Sequence, residues 1–462
     1  MVHELATLRV SGEPSVNNAR SPLPSADASL RRLLGRWDLT AIGVNQVIGG
    51  AVFIVPAEIA FRLGPWSPLA VLLVGLSSIL VGLCFAEVGS RFETTGGVYL
   101  YTKAAFGRFA GVEVAWMHWF TRVSGLASLS NGIAITLSPF WPGVALGWGR
   151  TLLITGMIVG LMVVNLIGIR QSSNLVNALT FAKLVPLVGF LLIAVWFTHP
   201  SYYPTVTGTG RENMVAATLL LVFTFGGFEV IGVPAGEARA PRRDVPRAVM
   251  TTIGGVTLLL TSIQVLLMFT LPDLAHSNTP IADAMRAIVG PPGAFVVAAG
   301  AVFSMVGTNA GQILSGSRTL FALAENGELP AFLGRVHPRF RTPFNAIIAT
   351  AAVGLALALS GSFVKMAAIS AVARLAAYAA TAAATLALRR KDRTPQDNKG
   401  ASIATFRIPG GPAVPILAVA TSLLILVGAT PEQLGAGAIA LAIGALLFAL
   451  APRGVRPSEV VS

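Results

Sequence analysis

The chain is 462 residues long, 54 % of them hydrophobic and 11 % charged, with a mean hydropathy of +0.73. A soluble domain carries roughly 25 % charged residues, so this composition excludes a single soluble core and makes lipid the main solvent. The net charge of +13 does not indicate nucleic acid, because the basic residues are spread over many short loops and form no single face.

Residues 1–36 are polar and rich in Ser, Pro and Ala, without the apolar run and small-residue cleavage site of a signal peptide. They are expected to form a cytoplasmic tail. Apolar runs then recur, each about 20 residues and long enough to cross a hydrocarbon core of about 30 Å as a helix. The first span is expected near Asp38 to Ala60, the second near Ser67 to Val88 and the third near Phe109 to Leu137. The fourth and fifth cover Gly149 to Ile169 and Leu175 to Phe197, the sixth Met214 to Ala235 and the seventh Val245 to Leu271. The eighth runs from Phe295 to Ala324, and the last four from Phe344 to Leu359, Phe363 to Leu388, Ala413 to Val427 and Leu434 to Leu450.

The expected fold is thus an all-α membrane protein of about twelve spans. An even number puts both ends on one side. About 24 of the 33 Lys and Arg fall in the two tails and every second loop, as the positive-inside rule requires of cytoplasmic segments. The basic loops are Arg91 to Arg108, Arg239 to Arg247, Arg335 to Arg341 and Arg389 to Arg407, whereas the external loops carry few, namely Arg62, Arg211 and Arg286. The inner membrane of a bacterium, with both termini cytoplasmic, is the expected location. The single cysteine, Cys84, lies in the second span, so no intramolecular disulfide can form.

Two spans are interrupted by glycine where a continuous apolar helix would be less costly. The first contains Gly43-Val44-Asn45-Gln46-Val47-Ile48-Gly49-Gly50-Ala51-Val52-Phe53, and the sixth Phe223-Thr224-Phe225-Gly226-Gly227-Phe228-Glu229. Glycine lowers the cost of leaving helical geometry, but the freed N–H and C=O groups need partners that lipid cannot supply. A half-helix N-terminus offers donors to an anion and a half-helix C-terminus offers carbonyls to a cation. Together they suit a zwitterion. Discontinuous helices five spans apart are the pattern of transporters built from inverted repeats with a midplane site. Close helix packing is the plainer explanation of either glycine pair alone.

At these residues the chain resembles the amino acid, polyamine and organocation transporter superfamily. Its first-span signature, approximately Gly-x-x-x-x-Ile-Gly-x-Gly-Ile-Phe, is matched by Gly43, Ile48, Gly49 and Phe53, with Ala51 standing where the last glycine is usual. The similarity continues through Phe225 to Glu229, Gly236-Glu237, Pro241 to Ala248, Ser317-Arg318, Asn326 to Pro330, Val336 to Phe340 and Thr342-Pro343. It implies a five-plus-five inverted repeat over residues 37–390, with discontinuous first and sixth helices. A cytoplasmic loop at 391–412, two additional helices at 413–451 and a cytoplasmic tail at 452–462 would follow. By the same resemblance, a substrate carboxylate would meet the amides of Gly49, Gly50 and Ala51, and its amino group the carbonyls of Ile48 and of Phe223, Thr224, Phe225 and Gly226. Phe223 falls at an aromatic gate position and Gln312 at a substrate-contacting one.

Ionisable residues at membrane depth are costly and signal function. Lys183 sits among apolar neighbours in the fifth span and matches a family lysine thought to replace a sodium ion. It is a candidate for proton exchange, or equally for a permanently charged tether between the fifth span and the first and eighth. His118 and Arg122, four apart on one face of the third span, match positions facing the family's central pathway. Glu229 is the expected partner of Arg122 and a second coupling candidate; alternatively Arg122 reads an acidic side chain on the substrate. Thr308 and Asn309 could bond the first span or Lys183. Arg374 is expected to be structural, bonding carbonyls near a cytoplasmic gate, and Glu237 to brace the connection after the sixth span.

The expected function is secondary active transport of an amino acid by alternating access, proton-coupled or exchanging. A polyamine or organic-cation transporter and an amino-acid sensor are the alternatives. No nucleophile, metal-ligand or phosphate-loop spacing appears, so neither an enzyme, a metal, a cofactor nor a primary pump is expected. The loop from Ser138 to Gly149 has no cysteine, so no disulfide-linked subunit is expected; the partners are the small substrate, protons and lipid.

Overall fold

In hydrocarbon, each backbone N–H and C=O has to be satisfied within the protein, which an isolated segment achieves only as a helix. The computed structural model describes residues 34–94, 96–167, 183–204, 211–340, 342–392 and 402–450. They form helices joined by short turns, with no strand among the described residues beyond an isolated bridge between Leu34 and Ala238.

Helix α1 (Arg36–Val47) begins with Asp38 accepting from the Gly35 amide at 2.8 Å, a negative charge at the positive end of the helix dipole. After Ile48–Gly50 comes α2 (Ala51–Leu63), and after a turn at Gly64–Trp66 comes α3 (Ser67–Gly89). The succession continues with α4 (Val98–Phe106), α5 (Arg108–Leu137), α6 (Gly147–Ile167), α7 (Lys183–Phe197) and α8 (Arg211–Phe225). It ends with α9 (Pro241–Thr270), α10 (Pro280–Val289), α11 (Pro291–Glu325), α12 (Phe344–Ser360), α13 (Phe363–Lys391), α14 (Ala413–Val427) and α15 (Pro431–Leu450). Proline leads α9, α10 and α11, where its fixed φ suits the first turn and its missing N–H removes a donor that would be unpaired anyway.

Seven stretches among the described residues are long and apolar enough to cross a membrane, and α7, α12 and α14 are shorter apolar helices. The first stretch, Ala51–Gly89, is 39 residues long, close to twice the length of one span; the turn at Gly64–Trp66 divides it into α2 and α3. This is an all-helical, multi-pass integral membrane protein.

Burial separates inner from outer helices. The apolar windows of α11 and α13 are 67 % buried, against 22 % for α6 and 17 % for α15. Leu152, Leu424 and Leu446 on the outer helices stand exposed, as side chains bathed in lipid can. Inner contacts are close because small residues permit them: Gly75 faces Thr257, Gly82 faces Ile253 and Gly354 faces Leu126.

Two short helices lie where loops were expected. In α4, Val98, Tyr99, Tyr101, Thr102 and Ala105 are buried, and in α10, Ile281, Ala282, Ala284 and Met285. With 9 and 10 residues they are too short to span, and a scan for long apolar runs passes over them. The expected fifth span from Leu175 falls partly outside the described residues, as do the tails.

Residues 402–411 cross one end of the bundle as a strap. Glu87 of α3 accepts Arg389 Nε of α13 at 2.6 Å and the Ile408 amide at 2.8 Å, and Arg91 grips Asp392 at 2.7 and 2.8 Å. From α9, Arg242 donates to the carbonyls of Ser90 and Ile403.

Candidate functional site

The first interruption is visible in the backbone. α1 stops at Val47, Ile48 leaves helical space with ψ 79°, and α2 starts at Ala51. The Gly49 amide donates to the Val47 carbonyl at 2.8 Å, and Phe53 N to the Gly50 carbonyl at 3.0 Å. The amides of Gly50, Ala51 and Val52 have no preceding helical turn to donate to.

The second interruption follows Phe225. Gly226 N donates to the Phe223 carbonyl at 3.2 Å, Gly227 takes φ 135°, and a short 3-10 turn covers Phe228–Val230. A side chain at 227 is opposed twice, because that φ belongs to glycine and because a Cβ there would lie 2.6 Å from the Gln46 carbonyl and 2.8 Å from Val47 N. The second break therefore rests directly on the backbone leading into the first.

Lys183, fully buried at the described start of α7, donates to the carbonyls of Asn45 at 2.6 Å and Ile48 at 2.8 Å. Ser304 Oγ of α11 shares the Ile48 carbonyl at 3.3 Å. The carbonyls freed by the first break thus already have donors, and α7, α1 and α11 are tied at one point.

A second charged group surrounds the other break. Arg122 Nη2 donates to Glu229 Oε1 at 2.9 Å, and Nη1 to Gln312 Oε1 at 3.3 Å. Nε and Nη2 also reach His118 Nε2 at 3.3 and 3.0 Å. Because a guanidinium only donates, that imidazole nitrogen is the acceptor and carries no proton. The other Glu229 oxygen accepts the Gly227 amide at 2.8 Å and the Tyr378 hydroxyl at 3.1 Å. Glu229 therefore holds the turn at Gly227 and joins α5 to α13. Removing one member of such a buried pair costs about 3–5 kcal/mol, because the other is left uncompensated.

The remaining expected residues divide between the breaks and their packing. Phe223 meets Phe363 of α13 edge-on, with ring centroids 6.2 Å apart. Thr224 Oγ1 donates to its own helix at the Leu220 carbonyl, and Phe225 is buried facing Gly75 of α3. Thr308 Oγ1 lies 3.7 Å from the position of a Cβ on Gly49, and Asn309 donates to Ser130 instead of to α1. The expectation that Arg374 bonds carbonyls is not met: its Nε and Nη1 have no hydrogen-bond partner among the described residues. Its guanidinium lies against Gly226, where a Cβ would come within 0.9 Å of Nη1. The Glu237 side chain lies outside the described residues.

Sequence reasoning passed over Tyr378 and Ser304. Arg374 and Tyr378 are four apart, hence on one face of α13, and that spacing of a charge and a hydroxyl in an otherwise Ala-rich helix was the available signal. Among the described residues no group of His, Cys, Asp and Glu is placed to hold a metal ion.

Residues 34–447 match the family model described as amino acid permease. The chain is 25 % identical over 423 residues to a branched-chain amino acid permease of Bacillus subtilis, covering 87 % of this chain and 89 % of the relative. It is 28 % identical over 418 residues to a serine/threonine exchanger of the same organism, covering 87 % and 91 %. A methylthioribose transporter, also of Bacillus subtilis, is 23 % identical over 445 residues, covering 93 % and 95 %.

Proposed function

This chain belongs to the amino acid permease family, and we propose that it carries an amino acid across a membrane by alternating access, as a secondary active transporter. The observation that carries this reading is the contact between the two interruptions, Gly227 on Gln46 and Val47. Two broken helices touching at their breaks bring the amides at the start of α2 and the carbonyls at the end of α8 to one place, as a zwitterion requires. A substrate carboxylate meets the amides of Gly50 and Ala51, with Gly49 shaping the approach. Since Lys183 and Ser304 occupy the Ile48 carbonyl, the substrate amino group goes to the α8 end, at the carbonyls of Phe223, Thr224, Phe225 and Gly226. Phe223 covers the site, and Gln312 contacts substrate beside Arg122.

A cavity of about 20 Å³ lies beside the breaks, lined by Val52, Leu221, Thr224, Ile263 and Gln264 among others. It has room for about one water. The surrounding scaffold is a five-plus-five inverted repeat with two additional helices, twelve spans in all, and both tails face the cytoplasm of a bacterial cell. Lys183 is the coupling residue: its ammonium holds the first break closed, and its release, with or without loss of a proton, frees α1 to move.

A polyamine fits less well. Glu229 is the carboxylate at the breaks, and both its oxygens are engaged by protein donors. Uptake of labelled amino acids into proteoliposomes, with and without an imposed proton gradient, tests the proposal. Binding without accumulation would mean a sensor, and accumulation of putrescine but of no amino acid would mean a cation transporter.

A further inference from the structure

The buried charges around the second break do not balance. Arg122 and Arg374 are guanidiniums, which stay charged in proteins, and Glu229 is the carboxylate between them. Arg122 has taken one Glu229 oxygen, Gly227 and Tyr378 the other, and Arg374 Nη1 stands 3.7 Å from Oε1, beyond hydrogen-bond distance. His118 accepts from Arg122 and Tyr378 donates to Glu229, so neither supplies negative charge.

Other buried acids are engaged elsewhere: Glu87 with Arg389, Asp244 with Arg243 and Glu328 with Arg108. Glu113, whose Oε1 has no hydrogen-bond partner among the described residues, lies nine residues before Arg122 in α5, roughly 13 Å along the axis at 1.5 Å per residue. Among the described residues one positive charge is left over. It belongs to a side chain only 3 % exposed, with two unpartnered nitrogens among the described residues, pressed on the glycine of the second break. Two buried cations that share one carboxylate leave an excess charge, which is among the costliest features a membrane protein can carry.

We propose that Arg374 is the counter-charge for a second carboxylate on the transported solute, so that the site takes amino acids with acidic side chains. The inference rests on the amino-acid reading above and deepens it. A zwitterion brings no net charge and leaves the excess in place, whereas an acidic amino acid brings one negative charge and removes it. With the α-carboxylate at the start of α2, the distal carboxylate reaches across the contact between the breaks toward Arg374. Arg122, already neutralised by Glu229, orients Gln312 and the turn at Gly227 instead of reading the side chain.

The test is a thermal-shift and uptake panel on the purified full-length protein, comparing glutamate with glutamine and aspartate with asparagine, and including leucine and lysine. Each acid and its amide match in shape and differ in charge. Glutamate or aspartate is expected to act at a concentration at least tenfold below its amide. Arg374→Gln should shrink that ratio at least tenfold, while Arg374→Lys keeps part of it. Should Arg374→Gln fail to fold, Gly226→Ala displaces the guanidinium and should lower the same ratio. Leucine or glutamine transported while glutamate and aspartate are ignored overturns the acidic subsite and leaves the amino-acid reading standing. An equal loss for acids and amides in Arg374→Gln also overturns it, since that is a structural role. No response to any amino acid overturns both.

Discussion

Replacing Glu229 with glutamine removes one charge and almost no volume, so its cost isolates the electrostatics at the second break. In the native protein this carboxylate takes Arg122 at 2.9 Å, the Gly227 amide at 2.8 Å and the Tyr378 hydroxyl at 3.1 Å. A glutamine oxygen can serve either Arg122 or Gly227, but its NH₂ then faces the other donor, so either orientation opposes two donors. Two buried guanidiniums also lose their shared anion. Breaking such a pair costs about 3–5 kcal/mol, a large part of the roughly 5–15 kcal/mol by which folded proteins are typically stable.

Denaturant titration of purified Glu229→Gln in mild detergent should show this loss. The double variant with Arg122→Gln should lose less than the sum of the two single variants, by about 0.5–3 kcal/mol, because the two groups are in contact. Single losses under about 1 kcal/mol, or strict additivity, would refute the claim that the pair holds the break.

Gly227→Ala should abolish uptake, since its methyl would meet the Gln46 carbonyl at 2.6 Å; Gly156→Ala on α6, with nothing within 4 Å, should leave uptake as it is. Lys183→Ala removes the donor shared by the Asn45 and Ile48 carbonyls and is expected to reduce uptake strongly, so unchanged uptake at every pH tested would remove it from the mechanism. Glu87→Ala frees Arg389 and the Ile408 amide from the strap. That variant should show faster amide exchange at residues 402–411 and a lower melting temperature, and native-like exchange there would show that the ion pair does not hold the strap.

The sequence by itself determined that this is an all-helical membrane protein and where its long apolar helices run, because lipid imposes one rule on every residue in contact with it. Third-span limits expected at Phe109 and Leu137 are found at Arg108 and Leu137, and α14 runs from Ala413 to Val427 as expected. The glycine pairs at Gly49-Gly50 and Gly226-Gly227 marked the interruptions for the same local reason, since a residue without Cβ is what a departure from helix needs.

Only the tertiary structure decided how the polar atoms pair. The sequence offered Glu229 as the partner of Arg122 with an acidic substrate group as the alternative, and the packing of the helices decided for Glu229. That Lys183 closes the Asn45 and Ile48 carbonyls, and that Arg374 is left among the described residues without a hydrogen bond at Nε and Nη1, likewise depends on which helix faces which. α4 and α10 escaped a hydropathy scan because their stability comes from an apolar stripe docked on neighbours, not from length. Periodicity records which residues avoid water, but charge balance at a buried site is a sum over groups from α5, the turn after α8 and α13, and no single stretch of chain contains it.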